Sequence, residues 1–119
     1  MSTEVANSLA PAAAVTVTDS GLSDVDAALV WTLVAGEDGT YYLTAGGQQL
    51  SVSKGNVSLV DAGVPFIVTA SSVVASTTTD RCLMLQDYQG TPRFKNYSQK
   101  NIGSANYSSA ITVYKYVEG

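Results

Sequence analysis

Histidine is absent from the 119 residues, cysteine occurs once, and only 13% of the chain is charged. Without an imidazole there is no Ser-His-Asp or Cys-His catalysis, no His-centred zinc site, and none of the commonest general base. The single cysteine, Cys82, excludes an intrachain disulfide and a cysteine-based metal cage. With Arg81 as its one basic neighbour it reads as a small buried hydrophobe in a strand. Six basic residues and a pI near 4.4 disfavour nucleic acid. Gly46-Gly47 has neither the lysine nor the following helix of a phosphate-binding loop. No apolar run is long enough to span a bilayer, and Met1 to Thr18 carries no basic n-region and no long apolar core. The expectation is a chain without membrane or cofactor partners, located in a virion or in the cytoplasm. A mature fragment whose signal has been removed, extracellular or on a cell surface, is the alternative.

The residues that are present suit strands. Hydrophobic residues make up 45% of the chain, too many for a disordered segment. The polar remainder is mostly Ser, Thr, Asn, Gln and Gly, and the length allows one domain over 1–119. The net charge of −4 is uneven. Residues 1–79 hold seven acids against Lys54 (−6), and residues 80–119 hold three acids against five bases (+2). A local field of the second kind attracts partners that the whole chain repels.

An internal repeat organises the sequence. Val15 to Ala35 (VTVTDSGLSDVDAALVWTLVA) aligns without a gap on Leu50 to Ala70 (LSVSKGNVSLVDAGVPFIVTA), an offset of 35. Six of the 21 positions are identical, against about two expected by chance at this composition. Val15 to Thr18 and Leu50 to Ser53 alternate apolar and hydroxylated residues, the pattern of a half-buried strand. Trp31 to Val34 and Phe66 to Thr69 are denser, aromatic-led runs, as expected of strands closing over a core. Asp38-Gly39 and Gly46-Gly47 mark tight turns. A diverged third copy is framed by Cys82 to Leu85, Arg93 to Asn96 and Ala110 to Tyr114.

Three repeats of about 35–43 residues, approximately 1–36, 37–76 and 77–119, resemble a β-trefoil, an all-β fold; a two-sheet β-sandwich or partly open barrel is the alternative. The stretch from Trp31-Thr32-Leu33 through Tyr41-Tyr42-Leu43 to Phe66-Ile67-Val68 is similar to trefoil repeats of the ricin-B and fascin type. The Gln-x-Trp signature of the lectins is missing, because Leu29-Val30 precedes Trp31 and Val64-Pro65 precedes Phe66. The resemblance therefore brings no sugar site with it. The C-terminal segments Arg81 to Leu85, Pro92 to Tyr97 and Ile111 to Tyr116 also resemble β-rich accessory domains of secreted Bacteroidetes nucleases and lipoproteins. That second likeness implies a gut bacterium, or a phage infecting one, as the source.

Two groups of side chains stand out. Asp19, Asp24 and Asp26 are close enough in sequence for a calcium site or a carboxylate pair, but Asp26 recurs as Asp61 at a repeat turn, where Asp caps backbone N–H groups. Tyr88, Arg93, Lys95, Asn96, Tyr97, Lys100 and Tyr107 place aromatic and basic groups together in the divergent copy. Such groups suit protein or glycan contact, and the contact is expected along Arg93 to Tyr97 and the polar insertion Ser98 to Ser109. The sequons at Asn56, Asn96 and Asn106 read as compositional. The functional expectation is a non-catalytic structural or interaction protein, most concretely an auxiliary or decoration protein of a virion, with capsid proteins or further copies of itself as partners. A glycan-binding accessory module is the alternative.

Overall fold

The computed structural model describes residues 1–6, 9–12, 16–18, 21–23, 27–88, 91–102, 108–109 and 111–113. Asp19, Asp24, Asp26, Asn106, Tyr107, Ala110 and Tyr114 lie outside the described residues, so the calcium and capping readings of the first three rest on sequence alone.

The described residues form an all-β protein with short 3-10 turns and no α-helix. The strands are β1 (Ala10–Pro11), β2 (Thr16–Thr18), β3 (Gly21–Ser23), β4 (Thr32–Ala35), β5 (Tyr41–Ala45), β6 (Gln48–Ser53), β7 (Asn56–Val60), β8 (Phe66–Thr69), β9 (Ser72–Ala75), β10 (Arg81–Tyr88), β11 (Thr91–Ser98) and β12 (Ser108–Ser109). One antiparallel sheet runs β7-β6-β5-β8-β9, with β4 added beside β5. A second runs β1-β11-β10-β12, and β2-β3 is a separate hairpin. The strands do not close into a barrel among the described residues.

The sequence repeat reappears as repeated strand pairing. In β2-β3, Thr16 pairs with Ser23, Val17 with Leu22 and Thr18 with Gly21. Adding 35 to each number gives the pairs of β6-β7: Ser51 with Ser58, Val52 with Val57 and Ser53 with Asn56. β4 and β8 share three positions at the same offset, Thr32–Val34 against Ile67–Thr69. The β5-β6 connection is Gly46-Gly47, with φ of 59° and 80°. Two successive positive φ values define a turn whose twist matches the strands it joins, and glycine adopts them without a Cβ penalty.

The core is built from one face of the larger sheet. Leu43, Leu50, Val57, Phe66, Val73 and Ala75 are buried there with Ala10 and Leu83. On β6 the alternation holds, with Leu50 buried and Ser53 exposed. The aromatic-led strands differ from expectation. Phe66 is fully buried, whereas Trp31 is half-buried at the core's rim and donates its Nε1–H to the Met1 carbonyl at 2.9 Å. An indole N–H needs an acceptor, and the rim supplies one that the apolar centre lacks. Ile111 and Val113 also pack against the core as partly buried residues, and the Val113 N–H donates to Ala70 C=O at 2.8 Å. Cys82 is buried and free, and burial pushes its thiol up from the ordinary range.

Candidate interaction surface

β10 and β11 pair over eight positions, from Arg81 with Ser98 to Tyr88 with Thr91. Strand alternation places Arg93, Lys95 and Tyr97 on one face of β11 and Phe94 and Asn96 on the other. The structure thus brings most of the sequence's candidate residues into one hairpin, and it engages Arg93, Lys95 and Asn96 internally. Lys95 is buried and donates from Nζ to Asn56 Oδ1 at 3.0 Å, with the ammonium 5.9 Å from the centre of the Tyr97 ring. Asn96 is fully buried. Its backbone N–H donates to Gly55 C=O at 3.1 Å, and its Nδ2 donates to Lys54 C=O at 2.9 Å. Arg93 Nε donates to the buried Gln86 Oε1 at 2.9 Å, and Arg81 Nη1 to Asn96 C=O at 3.1 Å. Lys100 is exposed in the 3-10 turn Gln99–Asn101. Tyr88 contributes its backbone to β10; its side chain and Tyr107 lie outside the described residues.

These bonds join two hairpins. The turn between β6 and β7, where Lys54 has φ of 53°, lies against β11. Gly55 is needed there for space: a Cβ would lie 2.8 Å from Tyr97 Cδ1 and closer still to Cε1. Asn96→Leu should lower stability by about 1–3 kcal/mol, because it removes the hydrogen bond that the fully buried Asn96 side chain gives to the Lys54 carbonyl; a urea titration measures this. Burial, and secondarily the Arg93 charge, holds the Lys95 ammonium below the ordinary lysine value. With rising pH, Lys95 therefore discharges in the folded chain before it does in the unfolded one. Its unfavourable contribution is fully present below the folded value and fades as pH climbs towards about 10.5. The stability gap between the protein and Lys95→Gln should shift in favour of the protein over that window.

A different surface is open, and the sequence reading missed it. All four residues of β4 are exposed, with Leu33 at 43% and Val34 at 47%. β4 is an edge strand: it pairs with β5 on one side, and no described strand pairs with the other. The Gly36 N–H donates to Thr40 C=O at 2.8 Å, in continuous register with Ala35–Tyr41, Val34–Tyr42, Leu33–Leu43 and Thr32–Thr44. Antiparallel ladders alternate hydrogen-bonded and non-hydrogen-bonded pairs. Val34 and Thr32 therefore turn their backbone groups toward β5, and Leu33 and Ala35 turn theirs outward.

Beside this edge lies an apolar strip. Leu43 and Phe66 face the core, so Val34, opposite Tyr42, and Ile67, opposite Val74, stand on the outer face, where Ile67 is 42% exposed. Elsewhere on that face β5, β6 and β7 carry Thr44, Gln49, Ser51, Ser53 and Ser58, with Val60 as an apolar member at the far end of β7. The legible signal was Val34 and Ile67 standing at outward positions where β6 carries Ser51 and Ser53. From Val30 to Gly36 there is no charge and no proline, the two residue types that usually protect an edge.

Among the described residues no three His, Cys, Asp or Glu side chains could hold a metal together, and no helix is long and apolar enough to cross a membrane. Comparison with protein-family models, with curated proteins and with solved structures returns no match.

Proposed function

We propose that this chain is a non-catalytic interaction protein that docks onto other proteins through the open edge of β4 and the apolar strip beside it. The observation that carries this reading is the charge-free, proline-free edge strand with Leu33 and Val34 exposed. Native proteins protect such edges or use them. Nothing on β4 protects this one. A trefoil-like scaffold of three repeats is part of the proposal, supported by the hairpins β2-β3 and β6-β7 repeating their register at an offset of 35. In its most concrete form the protein is an auxiliary or decoration protein of a virion, with capsid proteins as partners. The glycan-binding alternative has less support, because Asn96 is fully buried.

Val34→Lys puts a charge at the centre of the edge without touching the core. Co-sedimentation with purified virions, or binding to their isolated structural proteins, should weaken at least tenfold, about 1.4 kcal/mol. Unchanged binding would place the interface away from β4.

A further inference from the structure

We infer that the partner segment received by β4 is a basic strand that is apolar on both of its faces; this rests on the reading of β4 as the contact edge. β4 overhangs the core instead of roofing it. Leu33 pairs with Leu43 and Ala35 with Tyr41, so these side chains share the face that carries the core. Leu43 is buried there, but Leu33 is 43% exposed, Tyr41 is 37% exposed and Ala35 is exposed too. The core therefore stops at β5. The inner side of β4 is as uncovered as its outer side, where Val34 stands opposite Tyr42.

A strand with water on one face alternates apolar and polar residues, whereas a strand covered on both carries a continuous apolar run. Leu33-Val34-Ala35 is such a run. Single exposed apolar residues are ordinary, but a contiguous exposed group marks a contact surface. An amphipathic strand added to the edge would cover Val34 and leave Leu33 and Tyr41 in water. To shield all three, the incoming segment must carry apolar side chains at consecutive positions, sending them to both sides.

Charge gives the segment its second property. Residues 1–53 carry six acids and no lysine or arginine. Two of the acids, Glu37 and Asp38, are exposed in the turn that directly follows β4, and β4 itself has no charge. A segment with lysine or arginine beside its apolar run is drawn to that end of the edge, and an acidic one is repelled.

Binding to isolated virion structural proteins, measured over a salt series, tests both properties. Leu33→Thr and Val34→Thr keep strand propensity while removing apolar area from the inner and the outer face respectively. Each should raise the dissociation constant at least tenfold, with unchanged urea midpoints because both side chains are exposed. Glu37→Gln combined with Asp38→Asn should weaken binding at low salt and flatten its salt dependence. Asparagine tolerates the positive φ of Asp38, 55°. Two lysine-flanked synthetic peptides of one composition complete the test, one with consecutive valines and one with valines alternating with threonines. The first should compete with the virion proteins at least tenfold more strongly. A loss with Val34→Thr but none with Leu33→Thr, or equal or absent competition by the peptides, overturns the two-faced segment and leaves β4 as the contact edge. Binding that ignores both salt and the acid substitutions overturns its basic character. If neither threonine variant weakens binding, and Val34→Lys does not either, both readings fall.

Discussion

Phe66→Ala loses about 3–5 kcal/mol of folding stability, a large share of the roughly 5–15 kcal/mol that a domain commonly has. Phe66 is fully buried where β5, β8 and β9 meet, paired with Tyr41 on one side and Ala75 on the other. Removing the ring leaves a cavity lined by strands that are already paired and cannot collapse into it. The neighbouring Ile67→Ala supplies the contrast. Ile67 is on the outer face and 42% exposed, so its truncation should cost about 1 kcal/mol or less. Trp31→Ala should fall between them, because the indole is only half-buried and its polar end is bound to Met1. Chemical denaturation of the three variants measures the order.

Gly63→Ala is the second large effect, about 1–3 kcal/mol and toward the upper end. Gly63 lies in the connection from β7 to β8, where the chain presses against β6. A Cβ at this position would sit on the Leu50 carbonyl oxygen, 2.9 Å from Gln49 Cβ and 3.0 Å from the Leu50 carbonyl carbon. Two bonds hold that approach: the Gly63 N–H donates to Gln49 Oε1 at 2.8 Å and the Val64 N–H to Leu50 C=O at 3.3 Å. A backbone obstacle cannot rotate aside as a side chain does, so the added methyl must separate the connection from β6 and strain both bonds. Ala62, exposed one residue earlier, is the control site. Thermal or urea unfolding of Gly63→Ala beside Ala62→Gly separates the steric effect from a general loop effect.

Local pattern carried much of the fold. Val17 and Val52 announced strands by alternation, and Asp38-Gly39 and Gly46-Gly47 announced turns, because both signals depend only on neighbouring residues. The repeat at offset 35 carried more, since two segments of one pattern form one kind of hairpin. Exposure was harder to read. Leu33 and Val34 look like core because apolar density identifies a strand without saying whether a neighbour lies on each side of it. Lys95 and Asn96 look like surface because their side chains are polar. Their burial depends on Asn56 and on the Lys54 carbonyl, some 40 residues away, and no local pattern encodes such a contact. The third copy also departs from the first two: Cys82–Leu85 belongs to an eight-residue strand paired along its whole length with β11.

Amide hydrogen exchange along β4 tests the central claim, that this edge is open in the isolated chain and closed in the assembly. In dilute solution the Leu33 and Ala35 amides should exchange rapidly while the Val34 amide, bonded toward β5, exchanges slowly. On binding virion proteins, Leu33 and Ala35 should become protected while Val34 changes little. Leu33 and Ala35 amides already protected in dilute protein, or left unprotected in the assembled state, would contradict it.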